Sequence, residues 1–296
     1  MKINRTFYDS GITQMFLSTF SFAMANVFVK QLSNMPVLEI VFFRSIVAGV
    51  LCAYGIRKTG VDWRGNNKRF LILRGVAGTV ALVLFFITLQ NIPLATATTI
   101  QYLSPIFTAT IAIFFLKESI RVLQWLFYAM AFSGVVLIKS FDPRISLFYL
   151  MIGIIAALGS GIAYNFVRSL RDSEKPLVII FYFQIIGLVV SVPALFFSWK
   201  TPGGADWFYL VLVGLFSYLG QIFLTNAFSR EKAASVAIIV YTGLVYAITI
   251  GWFFYGEEQT VYTFAGMALV VGGVVLSILY GRRRNLMADR AVEAAR

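Results

Sequence analysis

The chain has no histidine and a single cysteine, Cys52, in 296 residues. An intramolecular disulfide is therefore excluded, and so are the imidazole and thiolate sites that usually hold zinc or redox metals. Charge is also scarce, at 13% of residues against about 25% in soluble domains. Carboxylates are the scarcer sign, with 13 Asp and Glu against 25 Lys and Arg. Every Asp falls in a loop or tail, and every Glu in a loop, in a tail or near the end of an apolar run. A membrane-embedded enzyme would need a histidine cluster, paired acids at a membrane face, or a Ser or Cys beside its base. These absences argue against one, and no metal or cofactor is expected.

What the chain has instead is apolar sequence: 59% hydrophobic residues and a mean hydropathy of +0.81. It comes in blocks long enough to cross a ~30 Å hydrocarbon layer at about 1.5 Å per residue. Breaks rich in charge, Pro, Gly or Asn separate ten spans, near 12–31, 36–56, 70–90, 94–116, 121–139, 147–168, 176–199, 207–228, 234–255 and 260–281. The length of the runs and their weak alternation exclude a β-barrel. The fold class expected is an all-α integral membrane protein with ten transmembrane helices.

The net charge of +12 reads as membrane topology rather than nucleic-acid binding. With the N-terminus placed in the cytoplasm, 20 Lys and Arg are assigned to the cytoplasmic side (Arg74, at the start of the third span, counted with Lys68 and Arg69), four (Lys30, Lys139, Arg144, Lys200) to the other, and Arg44 to the inside of a span. That asymmetry puts both termini in the cytoplasm of a multi-pass protein of the cell (inner) membrane. The opening "MKINRTFYDSGITQMFLSTFSFAMA" has the basic start, apolar stretch and Ala-Met-Ala of a signal peptide. An internal repeat speaks against its removal.

Laid against itself without a gap, the sequence brings 95–118 onto 234–257: Tyr102 meets Tyr241, Thr110 meets Thr249, and Glu118 meets Glu257. The same shift pairs Ser21 with Ser160, Asn26 with Asn165, Gly75 with Gly214 and Gly134 with Gly273. The first span is thus the partner of the sixth. Each half holds five spans, an odd number, so the halves enter the membrane from opposite sides as two inverted-topology five-helix repeats. The expected units are 12–140, 147–281 and a basic cytoplasmic tail at 282–296. Inverted repeats are the symmetry of alternating-access carriers.

"FFRSIVAGVL" at 42–51, "YLSPIFTATIAIFFLKE" at 102–118, "GVVLI" at 134–138 and "GGVVLSI" at 272–278 together resemble the EamA family of the drug/metabolite transporter superfamily. The resemblance runs from about residue 12 to 281. It implies a transporter of small organic metabolites (amino-acid-like, amine or aromatic), secondary-active or facilitative, working as an exporter or exchanger. The second half departs from the pattern by placing Leu244 where the first has Pro105, which removes the reason for a kink there.

Polar side chains inside spans turn toward protein or water, because an unpaired polar group in hydrocarbon costs several kcal/mol. Thr98, Gln101, Tyr102 and Pro105 share one face of the fourth span, and Tyr218, Gln221 and Thr225 one face of the eighth. The substrate pathway expected from these and their counterparts comprises Ser21, Asn26, Thr98, Gln101, Tyr102, Tyr164, Asn165, Tyr218, Gln221, Tyr241 and Tyr246. The competing reading is that a Thr or Ser bonds its own i−4 carbonyl, the amides join helices, and the tyrosines merely pack. Arg44 is expected in a gating or structural role, paired with Glu39 near the outer end, in preference to direct substrate binding, with Lys30 in the same outer network. With no acid in mid-membrane, exchange or facilitated diffusion is favoured over proton antiport. The alternatives are a channel or an integral-membrane enzyme. The expected partners are a small-molecule substrate and the bilayer, not nucleic acid, with the chain a monomer or weak homodimer.

Overall fold

The computed structural model describes residues 10–116, 122–171, 173–230 and 239–294. Lys117, Glu118, Arg121, Asp172 and the basic start of the chain lie outside the described residues, and with them the pairing of Glu118 with Glu257. The helices are α1 (Gly11–Gln31), α2 (Val37–Thr59), α3 (Lys68–Asn91), α4 (Leu94–Gln101), α5 (Ser104–Leu116), α6 (Val122–Phe141), α7 (Leu147–Leu170), α8 (Pro176–Ser198), α9 (Asp206–Arg230), α10 (Thr242–Tyr255) and α11 (Val261–Ala294). Among the described residues nine segments are long and apolar enough to span a membrane, α4 and α5 counting as one; α10 is a shorter apolar helix.

Local chemistry sets the ends. Ser10, Asn67 and Ser146 cap α1, α3 and α7 by accepting from Thr13, Phe70 and Phe148 N–H, and Pro176 opens α8 where no amide proton is needed. Gly60 and Gly256 stop α2 and α10 with left-handed φ of 67° and 59°. Large apolar side chains stand on the outer surface, Phe196 83% and Phe197 91% exposed. On a soluble protein such a belt would invite aggregation; here it is the face a bilayer covers.

The packing repeats itself. Helix α1 lies on α9 as α7 lies on α3, α9 on α2 as α3 on α8, and α10 on α1 as α5 on α7. The pairs α2–α8 and α6–α11 each join equivalent helices. Exchanging the halves therefore returns the same principal contacts. The crossings agree in detail. A Cβ at Gly75 would lie 2.6 Å from Ile186, and one at Gly214 would press as closely on Val47, the counterpart of Ile186 in the other half. A Cβ at Gly134 would meet the Gly266 carbonyl at 2.5 Å and the Val270 amide at 2.9 Å. One at Gly273 would meet the Phe127 carbonyl and the Ala131 amide at the same 2.5 and 2.9 Å, and these two residues are the counterparts of Gly266 and Val270. Without a hydrophobic drive between helices in lipid, such backbone approach is what holds them together. Among the described residues the chain folds as two all-helical repeats that pack on each other through equivalent contacts.

The fourth span breaks, with Tyr102 (φ −70°, ψ −1°) ending α4 and the chain turning before α5. Pro105 cannot donate to the Gln101 carbonyl, so the ladder is cut one turn above it. No proline supplies such a reason in the second half, yet the chain also turns at Tyr241, the mate of Tyr102. The cause there is tertiary. Gly243 lets the Tyr102 hydroxyl approach to 2.6 Å from where a Cβ would stand, and that hydroxyl donates to the Val240 carbonyl at 3.0 Å. A turn thus forms in the second half although Leu244 stands where the first half has Pro105. The two breaks meet, with the Tyr102 and Tyr241 rings edge to face at 4.8 Å.

Candidate functional site

Around this meeting point lies a cavity of about 240 Å³, lined from both halves by every helix except α6 and α11. It falls somewhat below the ~300–1,000 Å³ range of small-molecule sites. Of the residues expected on a pathway, Asn26, Thr98, Gln101, Tyr102, Tyr164 and Gln221 reach the cavity, as does Arg44. Gln101 Nε2 donates to Ser160 Oγ at 2.8 Å and joins α4 to α7, while its Oε1 is buried without a partner. Tyr164 is 42% exposed, and its exposure is toward the cavity. Thr98 bonds its own Leu94 carbonyl at 2.8 Å, as Thr99 bonds Ala95 at 2.7 Å, so these hydroxyls are largely spent on their helix.

The remaining expected residues stand elsewhere. Ser21 donates to Leu17 O at 2.7 Å and is buried away from the cavity. Asn165 ties α7 to α5 by donating to Thr108 O at 3.0 Å, and also donates to Gly161 O at 2.9 Å. As the neighbour of Tyr164 it is rotated by more than a quarter turn from the cavity face. Tyr218 packs with Cys52, Ile56 and Ile180. Tyr241 sits behind Tyr102, and its hydroxyl has no partner among the described residues. Tyr246 sets its ring edge-on to Phe20 at 5.8 Å.

The expected Arg44–Glu39 pair is not formed. Arg44, 2% exposed, donates through Nε to Ser217 Oγ at 3.0 Å and through Nη1 to Gln184 Oε1 at 3.2 Å. Glu39 accepts the Lys200 amide at 3.0 Å. Lys30 belongs to a different cluster: its ammonium meets Glu257 Oε1 at 2.5 Å and donates to Ile92 O at 2.8 Å, while Glu257 Oε2 accepts the Leu94 amide at 2.7 Å. With Tyr255 donating to Val27 O at 2.9 Å, these bonds fasten α1, α10 and the start of α4 at one end of the bundle.

A second cation is hidden in the sequence. Arg74 follows Lys68 and Arg69 as if part of their basic loop, yet it is 6% exposed and lines the cavity. Its guanidinium lies 4.1 Å from the centre of the Phe183 ring, and that of Arg44 lies 5.1 Å from the same ring. Gly78, one turn on, makes room for it, since a Cβ there would lie 2.7 Å from Arg74 Nη1. Phe183 and Ser217 were missed as well, since an apolar ring and a lone hydroxyl carry little signal.

The model of the EamA-like transporter family matches residues 9–140 and again 147–279. Similar proteins include the pseudopaline exporter CntI of Pseudomonas aeruginosa, 33% identical over 88% of this chain and 93% of its own. Human solute carrier family 35 member G1 is 32% identical over 90% of this chain and 78% of its own. The S-adenosylmethionine uptake transporter of Rickettsia felis is 28% identical over 94% and 95%. A solved crystal structure covers 92% of this chain and 98% of its own with a TM-score of 0.64 at 17% identity, which shows the shared fold.

Proposed function

This chain belongs to the EamA-like transporter family and is a multi-pass membrane transporter of small metabolites, and from that premise we propose that it is an alternating-access carrier working by export or exchange. The observation that carries this reading is the cavity framed by both halves where the broken helices meet, with a bonded network closing one end. Rocking of one half against the other would open the Lys30–Glu257 end and close the opposite one. The moving units are 12–140 and 147–281, followed by the basic tail at 282–296. The positive-inside pattern supports an inner-membrane location with both termini in the cytoplasm, which places Lys30 and Glu257 outside. One chain completes the cavity, so the working unit is a monomer, with any homodimer weak. It is read as a carrier and not as an enzyme, and nucleic acid has no part in it.

Among the described residues lining the cavity there is no Asp or Glu. That favours exchange or facilitated diffusion over proton coupling, which ordinarily uses a carboxylate in mid-membrane. Relatives include one named as an exporter and one as an uptake transporter, so the shared fold does not by itself set the direction. The test is counterflow in proteoliposomes. Preloaded substrate is expected to accelerate entry of labelled substrate, with saturation. Flux that never saturates and is indifferent to preloading would point to a channel and refute the carrier.

A further inference from the structure

Among the described residues the cavity is lined by two cationic side chains and by no Asp or Glu. Arg44 and Arg74 are both buried, lean on the same Phe183 ring, and stand close enough for their charges to repel. The described acidic side chains nearest the ends of the bundle are engaged elsewhere: Glu257 with Lys30, Glu39 with the Lys200 amide, Asp142 with Arg144, and Glu174 with the Asn66 and Asn67 amides. An arginine inside the membrane is costly even on the lenient insertion scale, and a second one beside it adds repulsion. A ring face offsets part of this; it does not neutralise two charges. Arg44 spends Nε and Nη1 on Ser217 and Gln184. Arg74 keeps Nε and Nη1 buried with no partner.

We propose that Arg44 and Arg74 form an anion seat for the substrate, and that the transported metabolites carry at least one carboxylate. The planar guanidinium fork of Arg74 matches a carboxylate bidentately, and Lys would not reproduce that geometry. Gln101 Oε1, an acceptor without a partner on the cavity wall, suits a donor group elsewhere on the same molecule. The ligand is thus an organic acid with a polar donor, and a purely cationic amine is disfavoured. This rests on the carrier reading for the direction of movement, not for the existence of the seat.

The test uses the full-length chain in detergent, with thermal-melting titrations of succinate, benzoate and glutamate against succinamide, benzamide and glutamine at constant ionic strength. At least one acid is expected to raise the melting temperature saturably while its amide does not. Arg74→Gln is expected to weaken that acid about 10–100-fold, the range for a lost hydrogen bond to a charged group, and Arg74→Lys to weaken it less. Val213→Gln, at the position equivalent to Arg74 in the other half, controls for damage to packing. If no acid in the panel is preferred to its amide, or if Arg74→Gln binds as the parent does, the proposal is wrong. Counterflow with the same compounds separates the two readings. Movement of amides or amines untouched by Arg74→Gln overturns the anion seat and keeps the carrier, whereas acid binding with no counterflow keeps the seat and overturns the carrier.

Discussion

The two halves of this protein share a backbone plan and differ in what they present to the cavity. The first supplies both arginines; the second supplies Phe183, Ser217 and Ser160, and the position equivalent to Arg44 is Phe183 itself. The loop pairing follows the same division. Loop 60–67 is tied to loop 171–175 by Glu174, whose carboxylate accepts two amides, at 2.6 and 2.5 Å. The equivalent loops, 199–205 and 32–36, are held instead by Lys200 donating to the Asn34 carbonyl at 2.8 Å. Symmetry is retained at the glycine crossings and helix breaks and abandoned in the cavity lining. A carrier needs its two end states within a few kcal/mol of each other, which equivalent crossings supply. Binding puts no such demand on side chains.

The strongest way to break this comparison is at the α6–α11 crossing. Gly134→Ala and Gly273→Ala each press a methyl group onto backbone that cannot step aside. Each is expected to lose about 1–3 kcal/mol of stability, read as a lower melting temperature in detergent. A large loss in one and none in the other would show that the crossings are not equivalent.

The tyrosines sharpen the contrast. Tyr102→Phe removes the bond to the Val240 carbonyl freed by the break, costing about 0.5–1.5 kcal/mol. Tyr241→Phe removes a hydroxyl with no partner among the described residues, and its melting temperature should stay the same or rise. Equal losses would contradict the asymmetry.

The smallest effect lies in the connection between the halves. Burial acts to raise the Asp142 carboxyl, but hydrogen bonds from Arg144 outweigh it and hold its pKa below the usual carboxylate value. A carboxyl depressed by folding contributes stability above its unfolded pKa of about 3.9 and loses it as pH falls through the lower folded value. Arg144 is 41% exposed, so solvent limits the contribution to about 1 kcal/mol. Asp142→Asn should melt slightly below the parent at pH 7, and the gap should narrow from about pH 4 downward. A gap that widens in acid would reverse the sign.

Much of the fold was legible because span length and one gap-free shift of the chain against itself depend on counting, and counting survives without coordinates. The site was legible only in part. Helical phase puts Tyr218 and Gln221 on one stripe, but residues three apart still differ in direction by a sixth of a turn. That is enough for Gln221 to face the cavity while Tyr218 packs beside Cys52. Arg74 was hidden because it follows Lys68 and Arg69 so closely that charge alone assigns it to their loop. Its place is set by Gly78 and Phe183, contacts that no local pattern announces. The break at Tyr241 was invisible for the same reason, since it arises from Tyr102 reaching across from the other half.

The central claim is that one cavity opens to the two membrane faces in turn. Its most direct measurement places a single thiol on the wall, Gln221→Cys with Cys52→Ala, in proteoliposomes treated with an impermeant thiol reagent from one face at a time. Labelling is expected from either face, and Glu257→Gln, which unfastens Lys30, should raise labelling severalfold from the Lys30 face while lowering it from the other. Labelling from one face alone in both backgrounds, or a rise from both faces together, would contradict alternating access.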